Sequence, residues 1–496
     1  MNNVRLWSSV FFRSFLGHSP DWYKATVLCF LLINPLVLFS AGPFVAGWLL
    51  LSEFILTLAL ALKCYPLQPG GLLAMQALLL GLVDSETVYR EISANLSVIL
   101  LLVFMVAGIY FLRDLLLYLF SNILMKVRSR TTLSLLFCAS AAVLSAFLDA
   151  LTVVAVVITV AAGIYAVYQQ AASARVDLDA DGTPDLDRHD LDKFRAFLRG
   201  LLMHSAVGTA LGGVATLVGE PQNLLIGNLA GWNFIEFFLH SMPVSMPVLA
   251  VGLLTCVTVD KMRWFGYGTD MPPAVRHVIE RHFSDEANCR TRTAILHLWL
   301  QAITAVFLFI GLALHLAEVG LIGLGVIVLA TALCGITEEK RLGHAFEEAL
   351  PFTALLATFF VVVGVIHNQH LFQPVIAYVL QQDDQTRVPL MYLASGVLSA
   401  ISDNVFVATV YIGEVKAAFD AGNLTREQFD VLAVAVNVGT NIPSVATPNG
   451  QAAFLFLLTS SLAPLIRLGY GKMLWMALPY ALTMTATGLL AVICLL

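Results

Sequence analysis

Long apolar runs recur along the whole chain and are separated by short polar loops. A helix needs about 20 mostly apolar residues to cross the hydrocarbon core of a bilayer. On this criterion the pattern predicts full crossings near residues 25–41, 44–62, 66–83, 93–112, 200–230, 241–259, 293–313, 320–337, 349–367, 431–461 and 473–496. No block of soluble-domain composition interrupts them, so we expect a single membrane domain.

Two further segments, 131–170 and 388–413, do not fit simple crossings. Each has a centre of polar and small residues between two apolar arms, at 145–152 in the first and at 399–404 in the second. The second segment is too short to cross twice, which predicts for both a re-entrant hairpin that enters and leaves by one face. Non-helical backbone at that depth must be buried in protein or line a watery cavity.

Three sequence blocks of the first half return in the same order in the second half. The blocks that begin at Phe104, Leu144 and Gly208 correspond to those at Phe360, Leu398 and Gly439. Self-similarity of this kind indicates duplicated structural units. Because each unit holds an odd number of crossings, five, plus one hairpin, the second unit must be inverted in the membrane relative to the first. Inverted repeats are typical of secondary transporters.

The predicted fold is therefore an all-α polytopic membrane protein with two inverted repeats, each of five transmembrane helices plus one re-entrant hairpin, and with broken helices at the midplane. We expect the breaks where glycine and proline interrupt apolar spans. The predicted divisions of the chain are an N-terminal cytoplasmic segment with the first transmembrane helix (1–43), a first repeat (44–260, with hairpin 131–170 and broken helix 200–230), a cytoplasmic linker (261–292) and a second repeat (293–496, with hairpin 388–413 and broken helix 431–461).

Composition supports a membrane protein, and the charge pattern orients it. The chain has 496 residues, of which 59% are hydrophobic and only 12% charged, and its mean hydropathy is +0.84. In the predicted topology, 23 of the 27 Lys and Arg residues lie in loops on the same side of the membrane as the N-terminus. The other four, Arg90, Arg387, Lys416 and Arg426, lie on the opposite side. Since cytoplasmic loops are enriched in positive charge, we expect a cytoplasmic N-terminus and a periplasmic C-terminus.

Two isolated aspartates are the strongest candidates for chemistry. Asp149 is the only formally charged residue between Thr131 and Ala174, and Asp403 occupies the matching place in the second copy. An ionised carboxylate is costly to bury in hydrocarbon, so an acid kept there indicates an ion or proton pathway. Sodium and a proton would compete for its oxygen atoms. That competition gives antiport of Na⁺ and H⁺ without a cofactor.

Around each aspartate the sequence offers further hard oxygen donors, the ligand type suited to alkali cations. We expect each hairpin tip to face the broken span of its own repeat. The first predicted site consists of Ser145, Asp149, Thr152, Thr209, Thr216, Glu220 and Asn223. The second predicted site consists of Asp403, Asn404, Thr440, Asn441, Thr447 and Asn449.

These residues also have a purely structural interpretation. Asp149 and Asp403 would serve as N-caps of the second hairpin helices, since aspartate is a good N-cap residue. Glu220, whose repeat partner is Gln451, would make a local salt bridge or a loop hydrogen bond. The Ser, Thr and Asn residues would satisfy neighbouring backbone groups.

Several motifs resemble those of the NhaB family of bacterial sodium/proton antiporters. The resemblance covers nearly the whole chain and includes SPDWYK (19–24), LSAFLDALT (144–152), GEPQN (219–223) and SVATPNGQ (444–451). It implies a secondary transporter rather than an enzyme. Such a transporter exchanges Na⁺ or Li⁺ for H⁺ across the bacterial inner membrane. It places the two isolated aspartates at the positions of the family's essential membrane acids. It also implies a homodimer embedded in membrane lipid.

Two other functions are open at this point. A Na⁺-coupled symporter of dicarboxylates or another anion belongs to the same superfamily, but a fixed carboxylate at each hairpin tip would repel an anionic substrate. An intramembrane aspartyl protease also uses two aspartates, yet its Gly-x-Gly-Asp and Tyr-Asp motifs are missing, because Leu148 precedes Asp149 and Ser402 precedes Asp403. Neither a GxGxxG motif after a strand nor a P-loop motif is present, and the net charge of −6 is small, so we expect no nucleotide or nucleic-acid partner.

Overall fold

The computed structural model describes residues 10–176, 188–288, 291–347, 349–372, 374, 378–379 and 381–496. These residues form helices joined by turns and short loops, with no β-strand among them. A bilayer favours such a chain, because a helix satisfies its backbone hydrogen bonds within one segment. The prediction of an all-α membrane protein is confirmed.

The helices of the first half follow one another with short connections. In chain order they are α1 (Asp21–Ala41), α2 (Pro43–Ala59), α3 (Leu67–Leu79), α4 (Ser85–Ala94), α5 (Leu96–Tyr110), α6 (Arg113–Lys126), α7 (Arg130–Ser145), α8 (Ala150–Val176), α9 (Arg188–Gly213), α10 (Pro221–Ala230) and α11 (Phe234–Met262). Helix α5 contains a π-helical turn at Leu101–Met105.

The second half follows a similar plan. Its helices are α12 (Pro273–Asn288), α13 (Arg292–Ala313), α14 (Val319–Leu333), α15 (Glu339–Glu347), α16 (Leu350–Asn368), α17 (Asp384–Ile401), α18 (Asn404–Asp420), α19 (Arg426–Asn441), α20 (Ala452–Thr459), α21 (Leu462–Leu465) and α22 (Tyr470–Leu495). A 3-10 turn at Pro443–Ala446 follows α19.

Within the described ranges, seven helices are long and apolar enough to cross a membrane, and the bent pair α4 and α5, which turns by 61°, counts as an eighth span if taken together. The chain is therefore a multi-pass membrane protein. Two predicted crossings, 44–62 and 320–337, are helices of only 17 and 15 residues, α2 and α14. Apolar turn residues extend those sequence windows but do not extend the helices.

The segments with polar centres, 131–170 and 388–413, each divide into two helices. In the first segment α7 and α8 are separated at residues 146–149, and in the second α17 and α18 are separated at residues 402–403. Helix α8 is long and apolar enough, over Ala150–Gln169, to be a candidate span in its own right. The aspartates at 149 and 403 thus stand directly before the second helix of each pair.

The segments 200–230 and 431–461 are also interrupted. Helix α9 ends at Gly213 and α10 begins at Pro221, while α19 ends at Asn441 and α20 begins only after the 3-10 turn. Glycine has a low helix propensity, and proline lacks the N–H that a helix interior needs. The interruptions therefore lie where the glycine and proline residues predicted them.

The two copies of the sequence repeat make matching contacts. Helix α7 packs along α9, and α17 packs along α19. The hydroxyl of Thr216 donates a hydrogen bond to the carbonyl of Ala146, and the hydroxyl of Thr447 donates one to the carbonyl of Ala400. Each aspartate-bearing turn is therefore tied in the same way to the break in the neighbouring helix.

A glycine at each break permits this close approach. A Cβ atom on Gly219 would lie 2.8 Å from the carbonyl oxygen of Ser145, and one on Gly450 would lie 2.7 Å from the carbonyl oxygen of Ser399. These distances are too short for van der Waals contact, and the opposing atoms belong to the backbone and cannot rotate away. A larger residue at either position would push the turn away from the break.

A buried ion pair anchors the other end of α7. Asp260, near the end of α11, is almost fully buried and accepts hydrogen bonds from Arg130 Nε at 3.0 Å and from Thr131 Oγ1 at 2.7 Å. Removing one partner of such a pair leaves an uncompensated buried charge, which strongly destabilises a protein. The helix that leads to Asp149 is therefore fixed at both of its ends.

We predict that Gly219→Ala destabilises the folded protein, because its methyl group would overlap the backbone of the turn before Asp149. Overpacking of this kind costs about 1–3 kcal/mol. Thermal unfolding of the purified protein in detergent measures the change. Gly163→Ala is the matched control, since a Cβ atom at Gly163 in α8 meets nothing within 4 Å. Equal melting temperatures for the two variants would contradict the prediction.

Candidate ion-binding site

Both aspartates cap the helix that follows them. Asp149 Oδ2 accepts hydrogen bonds from the backbone N–H groups of Leu151 at 3.0 Å and Thr152 at 3.4 Å. Asp403 Oδ1 accepts them from Val405 at 2.9 Å and from the next residue at 3.3 Å. The structural interpretation is thus correct as far as it goes. Each cap uses one carboxyl oxygen, so the second oxygen of each aspartate is available to a ligand.

The two aspartates lie at the same cavity. The cavity is small, and its space, including the part that is open to solvent, is about 330 Å³. Asp149 and Glu220 at its wall are almost fully buried, and Asp403 is partly buried. Its lining consists of Asp149, Leu151, Glu220, Pro221, Gln222, Phe352, Asp403, Asn404, Val405, Gly450 and Ala452. The structure therefore brings together, at one place, acids that the sequence assigned to two separate sites.

Several buried oxygen atoms at and beside this cavity have no hydrogen-bond partner among the described residues. They are Ser145 Oγ, Glu220 Oε1, Gln222 Oε1 and Gln451 Oε1. A buried polar atom without a partner costs free energy, and such atoms in a native structure call for an explanation. All four are oxygen atoms, the donor type that binds hard cations. Glu220 and Gln222 line the cavity itself, and Gln451 lies between its lining residues Gly450 and Ala452.

Asn223 and Asn441 connect the two broken helices. Asn223 Nδ2 donates to the carbonyl oxygens of Gly213 and Thr216, both at 2.7 Å, and Asn223 Oδ1 accepts from Asn441 Nδ2 at 3.0 Å. Asn441 Oδ1 accepts in turn from Gln222 Nε2 at 2.9 Å. These bonds pair carbonyls that the end of α9 leaves without a helical donor. The two asparagines therefore hold the broken helices in register.

Other residues of the predicted sites lie away from the cavity and serve the backbone. Thr209 and Thr440 donate to carbonyls of their own helices, at 2.8 and 2.9 Å. Thr216 and Thr447 hold the turns before the two capped helices, as described above. Asn449 Nδ2 donates to the carbonyl of Ala59 at 2.8 Å. Of the predicted residues, Asp149, Asp403, Glu220 and Asn404 line the cavity itself.

Asn404 is positioned by the turn that precedes it. Its Oδ1 accepts a hydrogen bond from Ser399 Oγ at 2.5 Å, and Ser399 Oγ also lies 2.7 Å from the carbonyl oxygen of Thr440. This arrangement fixes the orientation of the Asn404 amide at the cavity wall. Glu220 has no such partner, because its Oε1 is unpaired and no ion pair to it exists among the described residues. The predicted local salt bridge of Glu220 is absent from that part of the chain.

Gln222, Gln451 and Phe352 lie at or beside the cavity but are not among the predicted site residues. Gln451 is the repeat counterpart of Glu220, so the internal repeat carried a signal for it. Gln222 lies inside the GEPQN motif, which also contains Glu220 and Asn223 of the first predicted site. Phe352 comes from α16, which is distant in the chain, and no pattern in the sequence places its ring at the cavity.

Comparison with known proteins places the chain in a family. The family model described as "Bacterial Na+/H+ antiporter B (NhaB)" matches residues 4–496. A protein named Na(+)/H(+) antiporter NhaB from Saccharophagus degradans is 63% identical over 492 residues, which cover 98% of each chain. Proteins of the same name from Marinomonas sp. and Citrobacter koseri are each 59% identical, covering 97% and 98% of this chain and 97% and 95% of theirs.

We predict that Asn223→Ala lowers the stability of the folded protein more than the loss of an exposed asparagine does. The substitution removes the donor of the Gly213 carbonyl and the shorter of the two hydrogen bonds to the Thr216 carbonyl, whose other donor is the Gly219 N–H at 3.4 Å. A buried group left without its partner costs about 1–3 kcal/mol. Thermal unfolding in detergent measures the loss. Asn423→Ala removes an exposed asparagine side chain from a loop and serves as the control. If both variants melt alike, the amide link between the broken helices has no energetic importance.

Proposed function

The chain belongs to the NhaB family of bacterial Na⁺/H⁺ antiporters, and from this premise we propose that Asp149 and Asp403 bind Na⁺ and H⁺ in turn at one shared cavity. The protein is a secondary transporter and not an enzyme. It exchanges Na⁺ for H⁺ across a membrane, and this exchange needs no cofactor. Family membership does not favour the anion symporter or the aspartyl protease considered above.

The observation that carries the proposal is the meeting of three carboxyl groups, those of Asp149, Glu220 and Asp403, at the wall of one small cavity. Like charges so close together in a medium of low dielectric constant repel one another. A bound cation or a bound proton relieves that repulsion. The empty and fully ionised cavity is therefore the least favourable state, which is what an exchanger needs in order not to cycle without cargo.

The caps explain why the aspartates suit this role. Backbone N–H groups hold one oxygen of each carboxyl group and orient the other, so the ligand geometry is set before an ion arrives. We assign the ion contacts to the cavity-lining carboxyl and amide oxygens of Asp149, Asp403, Glu220 and Asn404, with Ser145 and Thr152 beside them. We assign positioning roles to Thr209, Thr216, Asn223, Thr440, Asn441, Thr447 and Asn449. Gln222 and Gln451 add two amide oxygens to the first group.

The proposed architecture is that of two inverted repeats, 44–260 and 293–496, in which 131–170 and 388–413 are re-entrant hairpins. The matching hydrogen bonds of Thr216 and Thr447 support the repeat, since equivalent residues contact equivalent turns. The linker 261–292 would then lie in the cytoplasm, together with the N-terminus. The C-terminus would be periplasmic, because the Lys and Arg residues cluster on the side of the N-terminus. Membership of the family supports a homodimer in the bacterial inner membrane.

We predict that Asp149→Asn and Asp403→Asn each abolish exchange. Asparagine caps a helix about as well as aspartate, so the fold should survive while the anionic oxygen is lost. The measurement uses proteoliposomes that contain a pH-sensitive dye and carry an imposed proton gradient. Added Na⁺ should dissipate the gradient with the wild-type protein and leave it at the level of empty liposomes with either variant. Lowering the pH should raise the Na⁺ concentration that the wild type needs.

Asp420→Asn is the matched control for these two variants. It lies on α18, the helix that Asp403 caps, but its carboxylate is exposed, and Lys416 is its one ion-pair partner among the described residues. This variant should exchange ions at the wild-type rate, since an exposed pair contributes little. Wild-type exchange in both Asp149→Asn and Asp403→Asn would overturn the proposal. Loss of exchange together with loss of folding would be recognised by the melting temperature of each purified variant.

We further predict that Glu220→Gln folds and still exchanges ions but requires more Na⁺. The fold accepts glutamine here, because Gln451 occupies the equivalent position of the second copy. Loss of one negative charge at the cavity should raise the Na⁺ concentration for half-maximal exchange roughly tenfold, equal to about 1.4 kcal/mol of binding free energy. The same dye assay, at several Na⁺ concentrations, gives this value. Glu427→Gln, an exposed site on α19, is the control, and identical Na⁺ dependence in both variants would exclude Glu220 from the ion site.

A further inference from the structure

A buried carboxyl group without an ion-pair partner among the described residues lies outside the cavity, in a cluster formed by α1, α2 and α3. The hydrogen bonds of this cluster begin near Pro35, in the interior of α1. Proline has no backbone N–H, so the carbonyl of Leu31 one turn earlier loses its helical partner. Gln76 of α3 supplies the missing donor, since its Nε2 lies 2.6 Å from the Leu31 oxygen. Neighbouring helices commonly compensate a membrane proline in this way.

The cluster continues from Gln76 to a glutamate. Asn34 Nδ2 donates to Gln76 Oε1 at 2.9 Å and also to Glu53 Oε2 at 2.7 Å. Asn34 is fully buried, and Glu53 is 3% exposed. Three side chains from three helices are thereby joined in one chain of hydrogen bonds that begins at the proline of α1.

Two atoms of this cluster lack partners. Glu53 Oε1 and Asn34 Oδ1 are both buried and accept no hydrogen bond from the described residues. No Lys, Arg or His side chain within the described ranges forms an ion pair with Glu53. An ionised and unpaired carboxylate in such surroundings would cost several kcal/mol. Both atoms without a partner are acceptors, so the cluster is short of one hydrogen-bond donor.

We propose that Glu53 binds a proton at Oε1 and that the resulting hydroxyl donates to Asn34 Oδ1. The carboxylic acid and the amide then form a ring of two hydrogen bonds, because Asn34 Nδ2 already donates to the other carboxyl oxygen. One proton removes the charge and satisfies both unpaired atoms. The site belongs to helices that carry none of the proposed ion ligands, and the inference does not depend on the role of Asp149 or Asp403.

A metal cation fits this cluster less well than a proton. The Nδ2 group of Asn34 directs both of its N–H donors at the oxygens of Glu53 and Gln76, and those donors would oppose a positive ion placed between them. A proton on Glu53 Oε1 instead supplies the one hydrogen-bond donor that the cluster lacks. The ligand class is therefore a proton held for structural purposes. Na⁺ binding is the alternative that the experiment must separate.

The test compares wild-type protein with Glu53→Gln by infrared difference spectroscopy at pH 7, with and without Na⁺. The wild type should show the C=O stretching band of a protonated carboxyl group that shifts in D₂O, that is absent from Glu53→Gln and that does not change when Na⁺ is added. Absence of a difference band between the two proteins would overturn the proposal. Disappearance of the band on addition of Na⁺ would overturn it in favour of a cation site.

Thermal unfolding in detergent gives an independent readout. Glutamine reproduces the ring, since its amide N–H donates where the acid O–H did, so Glu53→Gln should melt close to the wild type. Glu53→Leu and Asn34→Leu should each lose several degrees, because each breaks the cluster. Ser52→Ala, at the exposed neighbouring position, is the control. If Glu53→Gln melts as low as Glu53→Leu, the glutamate is a charged carboxylate and the proposal is wrong.

Discussion

Polar backbone groups released inside a membrane need partners from the protein itself, and much of this structure follows from that requirement. Where α9 ends, the amide of Asn223 pairs with the carbonyls of Gly213 and Thr216. Where Pro35 interrupts α1, the amide of Gln76 takes the place of the missing N–H. In both cases the partner comes from another helix, so both interruptions are also contacts between helices.

The same requirement explains how the acids come to share one cavity. Asn223 is bonded to Asn441, which ends the second broken helix, and this link draws the two interruptions together. The aspartates cap helices that begin beside those interruptions, so they arrive at the same place from opposite halves of the sequence. An ion bound at this cavity, as proposed above, would contact residues of both halves at once, and its exchange for a proton would act on both.

The sequence was sufficient to predict the helical membrane class, the isolated acids and the family, because these depend on composition, local spacing and motif. Asp149 and Asp403 stood out as lone charges in apolar segments. Their meeting at one cavity could not be predicted, since it depends on how the two halves pack. The predicted crossing 44–62 extends beyond the end of α2, because the apolar turn after Ala59 has the hydropathy of a membrane span. Phe352 reaches the cavity from a distant helix, and no local pattern encodes such a contact.

Glu220 and Gln451 occupy equivalent positions of the sequence repeat, and this difference has a consequence for the origin of the protein. Two copies of one ancestral segment would begin with the same residue at this place, and the codons of glutamate and glutamine differ by a single first-position nucleotide. One point mutation after gene duplication is therefore enough to give the halves unequal charge without altering the shape of either side chain.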